Sequence, residues 1–310
     1  MPTAVTTSAV TLPKSVSKAI ATKLKDTSTI AALSPSEPAI FADKTYTVFN
    51  PNVEAEVVAE GDAKGYSTPT PAPIAAIRTT IQTTTRVSNQ LRWADEDNQL
   101  EIIKAIQNDQ ASALGRALDY IVYHAINPKA ASAITGYTAL TAMTGVNKVA
   151  LGAVLASATD AQFIASIDNM ADAVNDLHEI NGLALSKKYA NALRKIRVTS
   201  TYMRLFPEIP LNLNVGNLEG IPAACSGTVN ARVANAGAGN DVLAIMGDFS
   251  LIKWGLIRDM TAEVIEYGDP DGQGDLKRYN QVAYRTEAVL CHAVLDASGF
   301  CWLKNAATLS

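Results

Sequence analysis

The chain has 310 residues, with 26 Lys plus Arg against 30 Asp plus Glu for a formal charge of −4, and only 18% charged residues beside 48% hydrophobic ones. A single hydrophobic core stops growing at roughly 250 to 300 residues, so this length suggests two or three structural units. The acidic balance excludes nucleic-acid recognition through a dominant basic surface, and so sparse a surface charge favours assembly over a free monomer. Cys225, Cys291 and Cys301 stand too far apart for a disulfide scaffold or a zinc knuckle, which points to a reducing compartment. No apolar run approaches the roughly 18 residues that span a bilayer, and MPTAVTTSAVTLPKSVSKAIATKLK lacks the apolar centre of a secretory signal. A soluble, cytosolic product is expected.

Residues 1–43 are rich in Thr, Ser, Ala and Pro, with Pro35 and Pro38 breaking any helix begun near Val16, and read as an arm that lies on something else. Alternation then begins: Val53, Ala55, Val57 and Ala59 share one side and Glu54, Glu56 and Glu60 the other. In a second run Ile77, Thr79, Ile81, Thr83, Thr85 and Val87 share a face, with Arg78, Gln82 and Arg86 opposite. Between the runs lies GDAKGYSTPTPAP, a turn-rich stretch carrying Lys64. The pattern predicts a long β-hairpin with one acidic and one basic strand, too thin in large apolar residues to be supported by its own chain.

Over 95–125, Leu100, Ile103, Ile106, Leu114, Leu118 and Ile121 recur at three- and four-residue steps, and Asp95, Glu96 and Asp97 occupy the first turn, where the helix dipole favours negative charge. One helix of roughly 45 Å is expected, ended by Pro128. Phe163, Ile164, Ile167, Met170, Val174 and Leu177 predict a second helix over 160–180 with Gly182 as C-cap, and Ser186 caps a third. Residues 242–246 read as a buried strand, and strands over 261–267 and 281–295 flank GDPDGQGD. Helices and strands that alternate without βαβ regularity predict an α+β fold.

No catalytic or cofactor site emerges from the pattern. NAGAGNDV has Gly237 and Gly239 but Val242 where a dinucleotide fingerprint needs a third glycine. His124, His178 and His292 have no ligand spacing and read as packed or surface histidines, and Ser226 in ACSGT lacks a nucleophile elbow. Asp269, Asp271, Gln273 and Asp275 alternate like the oxygen ligands of a Ca²⁺ loop, yet the closing Glu is missing, so a solvated β-turn with Gly272 and Gly274 at positive φ is preferred.

Four segments in order resemble one family. AEVVAEGDAK with the run ending RVSNQL, ALGRALDYIVYHAINP with Asp119, LEGIPAACSGTV with AIMGDFSLIKWG, and YNQVAYRTEAVLCHAVLDASGFCWL resemble, over about residues 45–303, the major capsid proteins of tailed bacteriophages with the Hong Kong 97 (HK97) type of fold. The resemblance implies an N-terminal arm (1–43), an extended hairpin or E-loop (44–92), a peripheral domain with the spine helix (93–135 and 255–297) and an axial domain (136–254 and 298–310). It implies no enzyme activity and no cofactor, but a homo-oligomer of hexamers and pentamers closed into an icosahedral head around double-stranded DNA, located in the virion and assembled in the host cytoplasm. Glu54, Glu56, Glu60, Lys64, Arg78 and Arg86 are then the expected inter-subunit contacts, with the arm wrapping under a neighbour. Lys14, Lys18, Lys23 and Lys25 are the expected sites of weak, non-specific DNA contact if the arm faces inward, an ordinary solvated basic face being the equal alternative. Further implied partners are a portal and, where present, separate scaffolding or cement proteins, since Met1 stands only about 45 residues before the E-loop and leaves no room for the charged scaffold segment many relatives carry. An encapsulin-like compartment shell is the alternative. Some relatives join an E-loop Lys to an Asn beside a Glu. Lys64, Asn280 and Glu287 supply those types, but strand alternation puts Asn280 and Glu287 on opposite faces, so non-covalent joints are expected.

Overall fold

The structure, a computed structural model, describes residues 27–38, 44–49, 55–66, 71–98, 101–198, 201–233 and 239–309. Lys14, Lys18, Lys23, Lys25, Glu54 and Gly237 lie outside the described residues. In chain order the elements are α1 (Thr29–Leu33), β1 (Thr45–Phe49), β2 (Pro71–Ala75), β3 (Ile77–Ser88), α2 (Asn89–Asn98) and α3 (Ile102–His124). There follow β4 (Ile126–Asn127), β5 (Ser132–Ala133), β6 (Asn147–Ala150), α4 (Asp160–Asn175), β7 (Gly182–Leu185) and α5 (Lys187–Leu193). The chain closes with β8 (Asn217–Leu218), β9 (Ile221–Cys225), β10 (Val242–Gly247), β11 (Ile252–Ile265), β12 (Gln281–Val294) and β13 (Phe300–Lys304).

The spine expected as one helix is two, Asn89–Asn98 and Ile102–His124, and Glu101, in the left-handed conformation (φ 58), stands at the N-cap of the second. Asp95 caps the second piece from within α2: its carboxylate accepts from Ile102 N at 2.8 Å and Ile103 N at 3.3 Å, placing negative charge at the N-terminus of α3. Positions 117–123 of α3 are all buried, so its second half is enclosed on every side. Ala125, also left-handed (φ 51), ends it by donating to the Tyr120 and Ile121 carbonyls, three residues before Pro128.

The first half of α3 lies against a three-stranded antiparallel sheet in the order β11-β12-β3. The alternation of 77–87 is real, but β3 is not the partner of the acidic run. It pairs along its whole length with β12, from Gln281↔Ser88 to His292↔Ile77. The hairpin is formed instead by the short β1 and β2, from Thr45↔Ala75 to Phe49↔Pro71. Gln110 of α3 pins helix to sheet, donating to Thr85 Oγ1 and the Tyr284 carbonyl and accepting from Thr286 Oγ1, at 2.8–2.9 Å.

A six-stranded mixed sheet in the order β6-β13-β10-β7-β9-β8 forms the second unit, with the wholly buried β10 near its centre, as the apolar run predicts. Period-two alternation sorts its side chains into two cores. Leu183, Leu185, Leu243, Cys301 and Leu303 face α4 and α5, whereas Ala184, Ile245 and Phe300 face the end of α3, α1 and the three-stranded sheet. The sheet is therefore a middle layer shared by both halves, and the fold is α+β.

Ser186 caps α5 as expected, accepting from Tyr189 N, and a Thr159/Gln162 capping box starts α4. Gly182 is not a helix cap: α4 ends at Asn175 and Gly182 opens β7, where a Cβ would overlap the Phe249 ring. Because Phe249 is itself fully buried against Phe300, the ring has nowhere to move. Gly182→Ala should cost about 1–3 kcal/mol by overpacking, read as a fall of several degrees in the thermal midpoint of the unassembled subunit.

Candidate functional site: the exposed hairpin and the joint that roots it

Beyond β1 and β2 the hairpin stands clear of the chain. Every described residue from 55 to 66 is exposed except the half-buried Val58, and Val57 and Tyr66 are almost fully open. The segment is extended and turns at Gly61 (φ 91), with Asp62 N donating to the Ala59 carbonyl at 3.1 Å. Glu56 stiffens the tip by accepting from Gly65 N at 2.9 Å, while Glu60 and Lys64 point to solvent. Of the residues expected to act together, the structure therefore places Glu56, Glu60 and Lys64 on one open loop and puts Arg78 and Arg86 elsewhere, on β3.

Arg86 organises the 269–275 loop. Its Nε donates to both oxygens of Asp271 at 2.8 and 2.9 Å, Nη2 donates to Asp269 at 2.9 Å and to the Gly274 carbonyl at 2.8 Å, and Nη1 donates to Gln281 at 3.3 Å. Asp269 also accepts from Gln273 N and Gly274 N. A guanidinium lies against two of the alternating oxygens, Asp269 and Asp271, while the loop is the exposed turn expected, with Gly272 and Gly274 at positive φ. The hydrogen-bonded guanidinium holds the Asp271 carboxyl below its ordinary range. Arg86 is buried, and the bonds its side chain makes here lie within its own chain.

The arm, expected to wrap under a neighbour, is held over 28–38 by its own subunit. Asp119 of α3, fully buried, accepts from Ser28 Oγ (2.5 Å), Thr29 N (2.8 Å), Thr29 Oγ1 (3.0 Å), Ile30 N (3.2 Å) and also from Thr228 Oγ1. Burial pushes the Asp119 carboxyl upward, and these donors pull it back. Tyr123, one turn on, meets Thr29 Oγ1 at 3.0 Å. Further along the arm, Ser34 Oγ donates to the Ile252 carbonyl and Trp254 Nε1 to the Ser34 carbonyl. Glu37 then receives Lys44 Nζ (2.9 Å), Tyr46 OH (3.0 Å) and Lys253 Nζ (3.0 Å), which hold its carboxyl down at about 2. Lys44 and Tyr46 are the root of the hairpin, so the arm ties spine, sheet and hairpin root together. Sequence reasoning marked Asp119 only through the resemblance and missed Ser28, Thr29 and Glu37, whose polar side chains carry no periodic signal.

Two of the three histidines are packed, and the third, His178, is half-buried with its Nε2 3.1 Å from Ser298 Oγ and 3.3 Å from an Asp296 oxygen. His124 Nε2 donates to the Thr228 and Val229 carbonyls while Nδ1 accepts from Asn240, and burial lowers it to about 4. His292 stacks on Tyr137 and burial lowers it likewise to about 4. Asn280, with φ 53, precedes β12, and its amide oxygen accepts from Asn89 at 2.7 Å. Glu287 lies exposed in mid-strand opposite Gln82. Among the described residues no group of three His, Cys, Asp or Glu could hold a metal ion, and no helix is long and apolar enough to cross a membrane.

A plate of long helix on sheet that throws out an unsupported hairpin is the build of a shell protein, and its fold is that of HK97-like phage capsid structures. The chain matches the phage capsid family over residues 8–305; it belongs to that family and is a major capsid protein. A solved structure from Mycobacterium phage Ogopogo is 30% identical with a TM-score of 0.79, covering 97% of this chain and 99% of that one. One from Gordonia phage Cozz is 27% identical with a TM-score of 0.76, covering 95% and 91%. The structure titled "Capsid of empty GTA particle computed with C5 symmetry", 16% identical with a TM-score of 0.61 and 96% of each chain covered, shares the fold. None of the curated proteins matches. The encapsulin alternative is not favoured.

Two measurements test the joint. Asp119→Asn replaces one acceptor oxygen by a donor amid donors and should cost about 2–4 kcal/mol, with protease cutting near residue 28 well before the rest of the subunit unfolds. Both buried histidines are bases whose folded pKa lies below the unfolded 6.5, so the neutral form belongs to the fold. Their contribution is complete above pH 6.5 and is lost as pH falls through about 4, on the order of 3 kcal/mol each. Urea midpoints of the unassembled subunit should fall over that window, and His292→Phe should flatten part of the fall.

Proposed function

We propose that copies of this chain close, as hexamers and pentamers, into the icosahedral head of a tailed phage, enclosing packaged double-stranded DNA, and that they do so without enzymatic activity or cofactor. The observation that carries the reading is the hairpin over 55–66, whose exposed Val57 and Tyr66 have no support within the subunit and gain it by lying on a neighbour. Glu56, Glu60 and Lys64, with Glu54 on the same run, are the contacts we assign to that neighbour. Each exposed charge pair contributes about 0–1 kcal/mol, so such pairs set register while apolar contact supplies strength.

We read the hairpin as the E-loop, α3 with the three-stranded sheet as the peripheral domain, and the six-stranded sheet with α4 and α5 as the axial domain. With a charge of −4 the shell leaves the genome unneutralised, so DNA contact is weak and without sequence preference, the arm lysines Lys14, Lys18, Lys23 and Lys25 being its natural site if the arm faces inward. Assembly takes place in the host cytoplasm, with a portal and, where needed, separate scaffolding or cement proteins as partners. The joints are non-covalent: the Asn280 amide is already bonded to Asn89, and Lys64 sits in open solvent at the hairpin tip.

Purified protein should sediment as closed particles or ring-shaped capsomers visible in negative stain, and boiled particles should run as one band at the subunit mass. Deleting 55–66 should abolish particles while leaving the subunit's circular dichroism and melting intact. A protein that stays monomeric at high concentration, with scaffold or crowding agents supplied, contradicts the reading.

A further inference from the structure

Two surfaces of the six-stranded unit carry opposite charge, and each strains its own subunit. From residue 149 to residue 186 there is no Lys or Arg, and this stretch carries Asp160, Asp168, Asp172, Asp176 and Glu179. All five are exposed, and among the described residues none is paired with a cation. Positions 160, 164, 168, 172 and 176 fall on a single four-residue ridge of α4, so three successive carboxylates repel along it. Asp172 and Asp176 also stand at the C-terminal end, where the helix dipole opposes negative charge. The ridge is not wholly polar, for Ile164 is half exposed and Leu177 beyond the helix is 75% exposed.

The next segment reverses the sign. Residues 187–207 hold Lys187, Lys188, Arg194, Lys195, Arg197 and Arg204 and no carboxylate. After α5, Arg197 and Arg204 form an antiparallel bridge and Val198 N donates to the Met203 carbonyl at 2.9 Å, which makes the base of a short finger. Like charges directly opposite one another weaken such a pairing. On it Tyr202, in a left-handed conformation (φ 55), and Met203 are exposed.

Among the described residues no ion pair joins the two surfaces within one subunit, although α4 and α5 are neighbours. α4 packs on α5 through the Phe163 and Tyr189 rings and the Ser166 and Tyr189 hydroxyls, which meet at 2.6 Å, while its carboxylates lie on the exposed face. Beyond α5 the chain runs on through buried Phe206 and Ile209 into β8, the strand at the edge of the sheet.

We propose that the acidic ridge of α4 in one subunit docks on the basic finger of the next, a head-to-tail contact that closes the capsomer ring; the proposal rests on the shell reading. Two different surfaces make a heterologous interface, which repeats and closes into a ring. Ile164 and Leu177 on one side and Tyr202 and Met203 on the other give it an apolar centre within a charged rim. Docking replaces two repulsive arrays by one attractive one, which steers the encounter and fixes register.

The test uses the full-length protein with one surface reversed at a time. The ridge variant carries Asp168→Lys, Asp172→Lys and Asp176→Lys; the finger variant carries Lys195→Glu, Arg197→Glu and Arg204→Glu. Circular dichroism and melting establish that each folds. Alone, each should need at least tenfold more protein than wild type to form particles by sedimentation. Mixed in equal amounts they should assemble again, because the two variants then alternate, and alternation closes only even rings, so six-membered rings should outnumber five-membered ones far more than in wild type. A variant carrying all six changes should assemble like wild type with both ring sizes. Either folded three-change variant assembling normally by itself overturns the proposal, as does failure of both the mixture and the six-change variant to recover. If the finger variant forms normal particles and loses only retention of duplex DNA, the finger serves the genome and the proposal falls. A wild-type protein that forms no shell defeats the capsid reading itself, whereas variants that assemble normally defeat this interface alone.

Discussion

Taking a carboxylate out of water costs several kcal/mol unless other groups replace its hydration. Asp119 is wholly buried in the middle of the molecule, so the fold must bring donors to it, and the five it brings come from two distant segments. Two are backbone amides, which can be donated only if the arm crosses α3 at this point in one orientation. The carboxylate thus dictates the arm's path. That path carries Ser34 to the Ile252 carbonyl and Glu37 to Lys253, and the same Glu37 holds Lys44 and Tyr46. An apolar residue at 119 would fill the space without choosing a direction for the backbone that crosses it.

The second constraint is stiffness. β12 is the middle strand between β11 and β3, and only Arg285, Glu287 and Val294 along it escape burial. Its two ends are fixed differently. At one end β12 joins the shared core through Leu290. At the other, the loop from β11 is gathered around Arg86, whose neighbour Arg285 donates to the Pro270 carbonyl at 2.6 Å. With Gln110 bridging helix and sheet in between, a thin plate is held at both ends and at its middle. The hairpin can then project from the plate without dragging the core with it.

How much of this was legible in the sequence depends on what periodicity encodes. Alternation over 77–87 reported correctly that one face of that strand is covered, but alternation names a face and not a partner, so β3 was assigned to the hairpin when its backbone completes β12. The spine's apolar rhythm runs through Leu100, Ile103 and Ile106 without a gap, and so conceals the break between Asn98 and Ile102, which is a backbone event. The oxygen spacing of Asp269 and Asp271 suits any cation, and sequence distance hid the fact that Arg86, more than 180 residues earlier, supplies it. β10, the α5 cap at Ser186 and the fold class were readable because each depends on neighbours in the sequence. Asp119 with Ser28 and Thr29 was not, because its meaning lies wholly in contacts about 90 residues apart.

The low charge content takes on a sharper meaning in the fold. The charges are not spread evenly: some are buried as organisers, at Asp119 and Arg86, and others are gathered by sign on the α4 ridge and the finger. If, as proposed, the subunit meets copies of itself in both hexamers and pentamers, it cannot store the difference in its cores, because those are packed on both sides of one sheet and any shift would be felt in both. The adjustable parts have to be those with few contacts of their own. Hairpin and finger meet that condition, since each carries exposed apolar side chains, Val57 and Tyr66 on one and Tyr202 and Met203 on the other. Contacts made through such elements are individually weak and therefore reversible, which lets a misplaced subunit leave before the shell closes around it.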